Sequence, residues 1–243
     1  MKIALLGYGK MGKIIEEIAI SRGHSIVLRV NSSNSATFSD SELKRADVAI
    51  EFSRPDSVMQ NISRCIMAGV PIVVGTTGWY ANLENVKNQV QSANGALFHA
   101  SNFSLGVNLF FKMNEQLAEL MKPFPEYEPT IEEIHHIHKL DAPSGTGITL
   151  ADGLLSHLGR KRNWKLYNEK GPESANDTDL PLIAIRTGEV PGTHTITYTS
   201  AIDRISMTHE AFNRKGFATG SVVAAEWITS RKGVFTMRDL LGY

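Results

Sequence analysis

Lys2-Ile3-Ala4-Leu5-Leu6-Gly7-Tyr8-Gly9-Lys10-Met11-Gly12 decides the fold. Five residues of mostly apolar chain run straight into a G-x-G-x-x-G turn, and residues 13–22 then place Ile14, Ile15, Ile18 and Ala19 at helical spacing before Gly23. A Gly at that point ends a helix, because it adopts the left-handed conformation without a Cβ penalty. Residues 25–30 (Ser-Ile-Val-Leu-Arg-Val) supply a second strand. The whole is a strand-helix-strand unit of about 30 residues, the size of a dinucleotide-binding unit. The glycines then have separate tasks: a tight turn, close approach of a pyrophosphate to the backbone, and close packing of helix on strand. Gly7, Tyr8, Gly9, Lys10, Met11 and Gly12 are therefore candidate cofactor residues.

Outward from this unit the alternation continues. Strands are expected at 47–52, 71–74 and 96–100, with helices at 57–68 and 80–92 between them, which means a parallel sheet covered by helices on both faces. The segment 31–44 is short and polar, so its crossover is expected to be reduced. Past about residue 106 the pattern changes. A helix to 121 leads into a loop with Pro123, Pro125 and Pro129, then a strand over 130–136 and a helix over 146–158. After a polar stretch at 160–179 come three strands, near 182–186, 194–200 and 204–209, expected to be antiparallel, and a last helix over 220–230 returns to the first domain. The fold class is α/β: a Rossmann-like, doubly wound parallel sheet with a second α+β domain built on an open, mostly antiparallel sheet.

Composition narrows the function. The chain has 243 residues, 42% of them hydrophobic, with Lys plus Arg and Asp plus Glu balanced at 25 each. That balance predicts no long-range attraction to nucleic acid or to an anionic membrane, and leaves small-molecule chemistry. No run has the length of a membrane span, and the first residues enter a strand with no charged and apolar leader, so a cytoplasmic location is expected. The single cysteine, Cys65, shares an apolar helical phase with Ile62 and Ile66 and reads as a small core side chain.

The most concentrated chemistry lies at Glu133-Ile134-His135-His136-Ile137-His138-Lys139-Leu140-Asp141-Ala142-Pro143-Ser144-Gly145-Thr146. Three imidazoles and an ammonium within five residues offer proton exchange near neutral pH and a cation for an anion. The turn that follows opens a helix at Ser144, Gly145 and Thr146, whose N–H groups suit a carboxylate or phosphate. Three further loops fall at the carboxyl ends of parallel strands, where open α/β sheets bind ligands: Glu51-Phe52-Ser53-Arg54-Pro55, Gly75-Thr76-Thr77-Gly78 and Ala100-Ser101-Asn102-Phe103-Ser104. Their glycines, small hydroxyls and aromatic suit a flat nicotinamide. At the end of the second strand, Leu28-Arg29-Val30-Asn31-Ser32-Ser33 lacks the acid that would accept from a ribose 2′-hydroxyl. Arg29 is a candidate phosphate partner if strand alternation points it at the cofactor.

With these residues in view, the chain resembles the 4-hydroxy-tetrahydrodipicolinate reductase (dihydrodipicolinate reductase) family. The resemblance runs through Gly7-x-Gly9-x-x-Gly12, Phe52-Ser53-Arg54-Pro55, Gly75-Thr76-Thr77-Gly78, Ala100 to Asn108, the Glu133 to Thr146 block, Ile185-Arg186-x-Gly188, Gly192-x-His194, Thr208-His209 and Phe217-Ala218-x-Gly220. It covers nearly the whole chain, and one departure is Ile137, where some members have Arg. The resemblance implies a dinucleotide-binding domain at 1–104 and 214–243, a substrate-binding and oligomerisation domain at 105–213, a homotetramer, and NADPH or NADH as cofactor. It implies His135 as catalytic acid or base and Lys139 as proton donor. His136 and Lys139, with Ser144, Gly145 and Thr146, would hold a cyclic imine bearing two carboxylates. Gly75, Thr76, Thr77, Ala100, Ser101, Asn102 and Phe103 would hold the nicotinamide side, with Arg214 and Phe217 closing over it by family position.

A zinc site from His135, His136 and His138 conflicts with strand alternation and with Lys139, so no metal is expected. A semialdehyde dehydrogenase would want a nucleophilic cysteine in the crevice, and Cys65 falls mid-helix. Another NAD(P)-dependent dehydrogenase of a small dicarboxylate, or a nucleotide-sensing protein without catalysis, completes the alternatives.

Overall fold

A computed structural model describes residues 1–172, 176–213 and 215–243. In chain order the elements are β1 (Lys2–Leu6), α1 (Lys10–Ser21), β2 (Ser25–Val30), α2 (Asp40–Leu43), β3 (Val48–Glu51), α3 (Val58–Ala68), β4 (Ile72–Val74), a 3-10 turn (Tyr80–Asn82), α4 (Leu83–Ser92), β5 (Ala96–His99), α5 (Leu105–Met121), β6 (Glu128–His135), α6 (Gly145–His157), β7 (Asn163–Tyr167), β8 (Asp179–Arg186), β9 (Thr193–Thr199), β10 (Arg204–Glu210), α7 (Lys215–Ile228), β11 (Gly233–Phe235) and α8 (Met237–Leu241). They form two compact units, Met1–Leu105 with Lys215–Tyr243, and Gly106–Arg214.

The first unit holds a six-stranded sheet in the order β11-β5-β4-β3-β1-β2, and every ladder is parallel. Strand alternation divides its side chains between two cores. Ala4, Leu6, Val30 and Ile72 meet Val58, Ile62 and Cys65 of α3 and Val86 and Val90 of α4 on one face. Ile3, Leu5, Ile50 and Phe98 meet Ile15 and Ala19 of α1 and Val222 and Ala225 of α7 on the other. Both faces being covered, the strands read as continuous apolar runs, and Val48, Ala49, Ile50 and even Glu51 are all buried. Truncating one such side chain, Ile50→Ala, costs about 2–5 kcal/mol through lost transfer energy and the cavity left behind.

Local signals set the boundaries. α1 begins at Lys10, inside the glycine turn and earlier than residue 13, since Gly9 is its N-cap, and Gly23 (φ +82°) follows its end. The reduced crossover at 31–44 is a single helical turn, α2, closed by a capping box between Ser39 and Glu42. Cys65 is fully buried on α3, and burial pushes its thiol pKa up. The return to this sheet is longer than the last predicted helix: α7 starts at Lys215, and β11 and α8 follow it.

The second unit holds a five-stranded sheet in the order β10-β9-β6-β8-β7. β9 is antiparallel to both β10 and β6, whereas β8 is parallel to both β6 and β7. The sheet is thus mixed, and the three late strands are not consecutive antiparallel neighbours. The reason is connectivity. Parallel strands need a crossover, and the α6 connection after β6 supplies one. β9 then pairs on the far side of β6 instead of beside β8. β7 lies inside the polar stretch 160–179, where Lys165 and other exposed positions hide the strand signal of Trp164 and Leu166. α5 and α6 cover one face of the sheet through Phe110, Ala118, Leu150, Ala151 and Leu154, against Ile131, Leu182, Ile196 and Tyr198.

Candidate active site

In the first unit the turn after β1 is built by backbone. Gly7 and Tyr8 both donate their N–H to the Val30 carbonyl, at 2.9 and 2.8 Å, which ties the turn to the end of β2. A Cβ on Gly7 would overlap the Phe52 carbonyl, and one on Gly12 would overlap the Gly7 carbonyl. At Gly9 nothing lies within 4 Å of that position, and no side chain caps α1. Two glycines therefore serve packing, while the third leaves open space before a helix N-terminus, the feature a pyrophosphate needs. The chain's own residues fit a dinucleotide.

The neighbouring candidates are placed as follows. Lys10 is exposed and Met11 half-buried. Tyr8 donates its phenol to Glu16, and Arg29 pairs with the same carboxylate through Nε, at 3.1 Å from each oxygen, and through Nη2. These contacts hold Glu16 below the usual carboxylate range, Arg29 first among them. Phe52 packs its ring over Gly75, where a Cβ would collide with it. Thr76 is buried: its hydroxyl accepts from the Ser53 N–H at 2.8 Å and its carbonyl from Trp79 Nε1 at 2.9 Å. Thr77 and Ser101 are exposed, Ala100 is half-buried, and Asn102 Oδ1 accepts from the Ser104 N–H at 2.9 Å. Phe103 is buried between Phe52 and Phe98, with ring centroids 5.7 and 5.8 Å away, and Phe217 is half-buried on α7. Arg214 lies outside the described residues.

In the second unit, pairing register gathers the charged groups. Glu133 on β6 lies opposite His194 on β9, which lies opposite His209 on β10, and His135 lies opposite Arg186 on β8. β6 alternates so that Ile131, Glu133 and His135 all face inward. Ser144 donates its N–H to both Glu133 oxygens, at 3.0 and 2.9 Å, and its hydroxyl at 2.5 Å, while Arg186 Nη2 adds a contact at 2.9 Å. Burial pushes the Glu133 carboxyl up, but these donors more than offset it and hold its pKa below the usual range. The Ser144 hydroxyl also accepts from the Gly147 N–H and so caps α6. Gly145 is open on its exposed side and Thr146 is half-buried, so the first turn of α6 keeps an accessible face.

His135 is buried with Nδ1 unpartnered, 3.8 Å from Glu133, and stands edge-on to His194 with centroids 5.1 Å apart. Burial lowers its pKa, the Glu133 charge opposes this, and Lys139 and Arg186 add to it. Burial takes His194 further, down to about 4, so at neutral pH it is an uncharged ring. Lys139 Nζ rests on both Asp141 carboxylate oxygens at 2.8 Å. His136 is half-buried and His138 exposed, so the three histidines of the motif do not face one point. Among the described residues, ligand atoms with metal-like spacing belong to Glu133, His135 and His194, within 4.8 Å of one another, and a cation there would face Arg186. Glu133, Arg186 and His194 had no role assigned from sequence. The signal that could have found them is alternation, which puts Glu133 on the same face as His135.

A parallel sheet opened by a glycine turn, with a second unit carrying a buried acid, imidazoles and an ammonium beside a helix N-terminus, defines a nicotinamide-dinucleotide-dependent oxidoreductase. Residues 1–103 match the family described as dihydrodipicolinate reductase, N-terminus, and residues 106–241 match dihydrodipicolinate reductase, C-terminus. The chain belongs to the dihydrodipicolinate reductase family. It is 45% identical over 242 residues to the 4-hydroxy-tetrahydrodipicolinate reductase of Christiangramia forsetii, covering 99% of this chain and 98% of that protein. It is 30% identical to the enzyme of the same name from Neisseria meningitidis, over 100% of this chain and 97% of the relative. The fold matches the dipicolinate-bound dihydrodipicolinate reductase of Paenisporosarcina sp. TG-14 with a TM-score of 0.79 at 20% identity, covering 98% of each chain. The chain is an NAD(P)H-dependent reductase, and no helix among the described residues is long and apolar enough to cross a membrane.

Proposed function

We propose that this chain reduces 4-hydroxy-tetrahydrodipicolinate to tetrahydrodipicolinate in the diaminopimelate and lysine pathway. The observation that carries the reading is that buried His135 ends β6 and Lys139 follows it a few residues before α6, whose first turn stays accessible, in a chain 45% identical to a reductase so named. The substrate has two carboxylates and a ring nitrogen. His136, Lys139 and the N–H groups of Gly145 and Thr146 bind the carboxylates, and Ser144 holds the helix start in place from within. Loss of the 4-hydroxyl as water, with a proton from the ring carbon between C4 and the imine carbon, leaves a conjugated imine, to whose C4 reduced nicotinamide, when bound, would supply hydride. His135 and Lys139 deliver or relay the proton that the leaving hydroxyl takes, the one that the ring carbon releases and the one that the same carbon regains as the enamine becomes the product imine, so that the net consumption is a hydride and a proton. Gly7, Tyr8, Gly9, Lys10, Met11, Gly12 and Arg29 hold the adenosine and pyrophosphate end. Gly75, Thr76, Thr77, Ala100, Ser101, Asn102, Phe103, Arg214 and Phe217 hold the nicotinamide end.

The division of labour follows the two units: 1–104 with 214–243 binds dinucleotide, and 105–213 binds substrate and assembles a cytoplasmic homotetramer. Family resemblance supports the tetramer, and sedimentation of the purified protein tests it. Because residues 28–33 contain no acid, NADPH is used at least as well as NADH. Assay of NAD(P)H oxidation with the condensation product of pyruvate and aspartate semialdehyde decides the main reading, and an inert wild-type protein would refute it.

A further inference from the structure

Glu133 is fully buried, yet it is a carboxylate and not the neutral hydroxyl that would suffice to cap a helix. Burying a charge is costly unless it is paired and hydrogen-bonded, and Glu133 is held by the Ser144 N–H and hydroxyl and by Arg186 Nη2, while Ser144 itself caps α6. Its surroundings are shaped to it: a Cβ on Gly147 would stand 2.6 Å from Oε2, so α6 can approach the carboxylate only with glycine there. From Glu133 the contacts lead outward in one direction. Arg186 Nη2 bonds Glu133 at 2.9 Å and the Asp141 carbonyl at 2.6 Å. The Asp141 carboxylate in turn takes Lys139 Nζ. The same segment is pinned by the Thr187 N–H on the His135 carbonyl at 2.8 Å and the Ile137 N–H on the Gly188 carbonyl at 3.2 Å.

The geometry points to Glu133 as a positioning residue for the reduction: it anchors Arg186, and through Arg186 the segment that presents Lys139, and it sets a negative charge beside His135. This rests on the reductase reading above. The charged and titratable groups around His135 are Glu133 on its own strand, Arg186 on β8, His194 on β9, and Lys139 and Asp141 on the following loop, with His209 of β10 beyond His194. Of these, Glu133 and Asp141 favour a protonated His135, while Lys139 and Arg186 disfavour it. Removing the Glu133 charge therefore moves His135 titration to lower pH.

The test uses Glu133→Gln, Glu133→Asp and Arg186→Lys in the full-length protein, with two readouts. His135 titration, followed by NMR of its ring protons, shifts down by about one unit or more in Glu133→Gln, the effect of losing an opposite charge at close range, and stays near wild type in Glu133→Asp. The acid limb of kcat/KM moves the same way. Arg186→Lys keeps the cation but loses the Nη2 that donates to both Glu133 and the Asp141 carbonyl and the Nη1 held by the Ile185 carbonyl, so kcat falls at least tenfold while KM for NAD(P)H stays within about twofold and His135 titration is little changed. An unshifted His135 in Glu133→Gln, or full kcat in Arg186→Lys, overturns the assignment. The NMR readout needs no turnover, so it fails or succeeds independently of whether the wild-type protein reduces the proposed substrate.

Discussion

The two units present their polar groups by opposite means. In the first, the turn at Gly7 to Gly12 offers bare backbone and an open helix end, with nothing near the Gly9 position. In the second, the start of α6 is already occupied on its inner side by Glu133, and only its outer residues face outward. A backbone site accepts any anion of the right shape. A side-chain cluster with a buried acid, a guanidinium and two depressed imidazoles offers in addition groups able to hold or exchange protons, which catalysis needs and binding alone does not.

The largest effect that would break this contrast comes from the cluster. Lys139→Ala and His135→Ala are each expected to lower kcat by roughly 10² to 10⁴, about 3 to 5 kcal/mol, while cofactor binding by fluorescence titration persists. Near-normal turnover in either would remove the proposed roles. Next come the glycines, which separate packing from binding. Gly12→Ala forces a Cβ into the Gly7 carbonyl and should destabilise the first unit by about 1–3 kcal/mol or more in denaturant unfolding. Gly9→Ala meets no atom, so its unfolding free energy should stay within about 0.5 kcal/mol of wild type while KM for cofactor rises. Equal destabilisation by both would refute the division of tasks.

Stability against pH sharpens the second unit. His194 falls from 6.5 to about 4 on folding because burial disfavours its charged form. A group with a depressed folded pKa contributes stability above its unfolded pKa and loses it as pH falls through the folded value. The melting temperature should therefore fall between pH 6.5 and about 4, and His194→Gln should flatten much of that slope. An unchanged slope in the variant would put the acid sensitivity elsewhere.

Cofactor choice is the smaller effect. NADPH is expected to give kcat/KM at least equal to that of NADH at low ionic strength, and a tenfold NADH preference, about 1.4 kcal/mol, would contradict it. The fold adds a fact that bears on this, since Glu16 on α1 reaches Arg29 and shares its charge. Smallest is Thr146→Val, expected to raise KM for substrate more than it lowers kcat, as removal of an anchoring group does.

Most strand and helix positions of the first unit were legible because period-2 and period-3.6 apolar patterns and the glycine turn are local properties of the chain. β7, β11 and α8 were not, being short or half-polar, with too few apolar positions to show a period. The parallel pairing of β8 was hidden for another reason: strand order depends on which edge a crossover reaches, and adjacent segments give no sign of it.

By itself the sequence determined the doubly wound sheet, the glycine turn and the reactive block from Glu133 to Thr146, since each rests on residues close together along the chain. Only the tertiary structure decided that Glu133, Arg186 and His194, from three different strands, close around His135, and that Glu16 pairs with Arg29. Cross-strand register and helix packing bring together groups many residues apart, and whether a buried charge finds its partner is settled there and not by the order of residues.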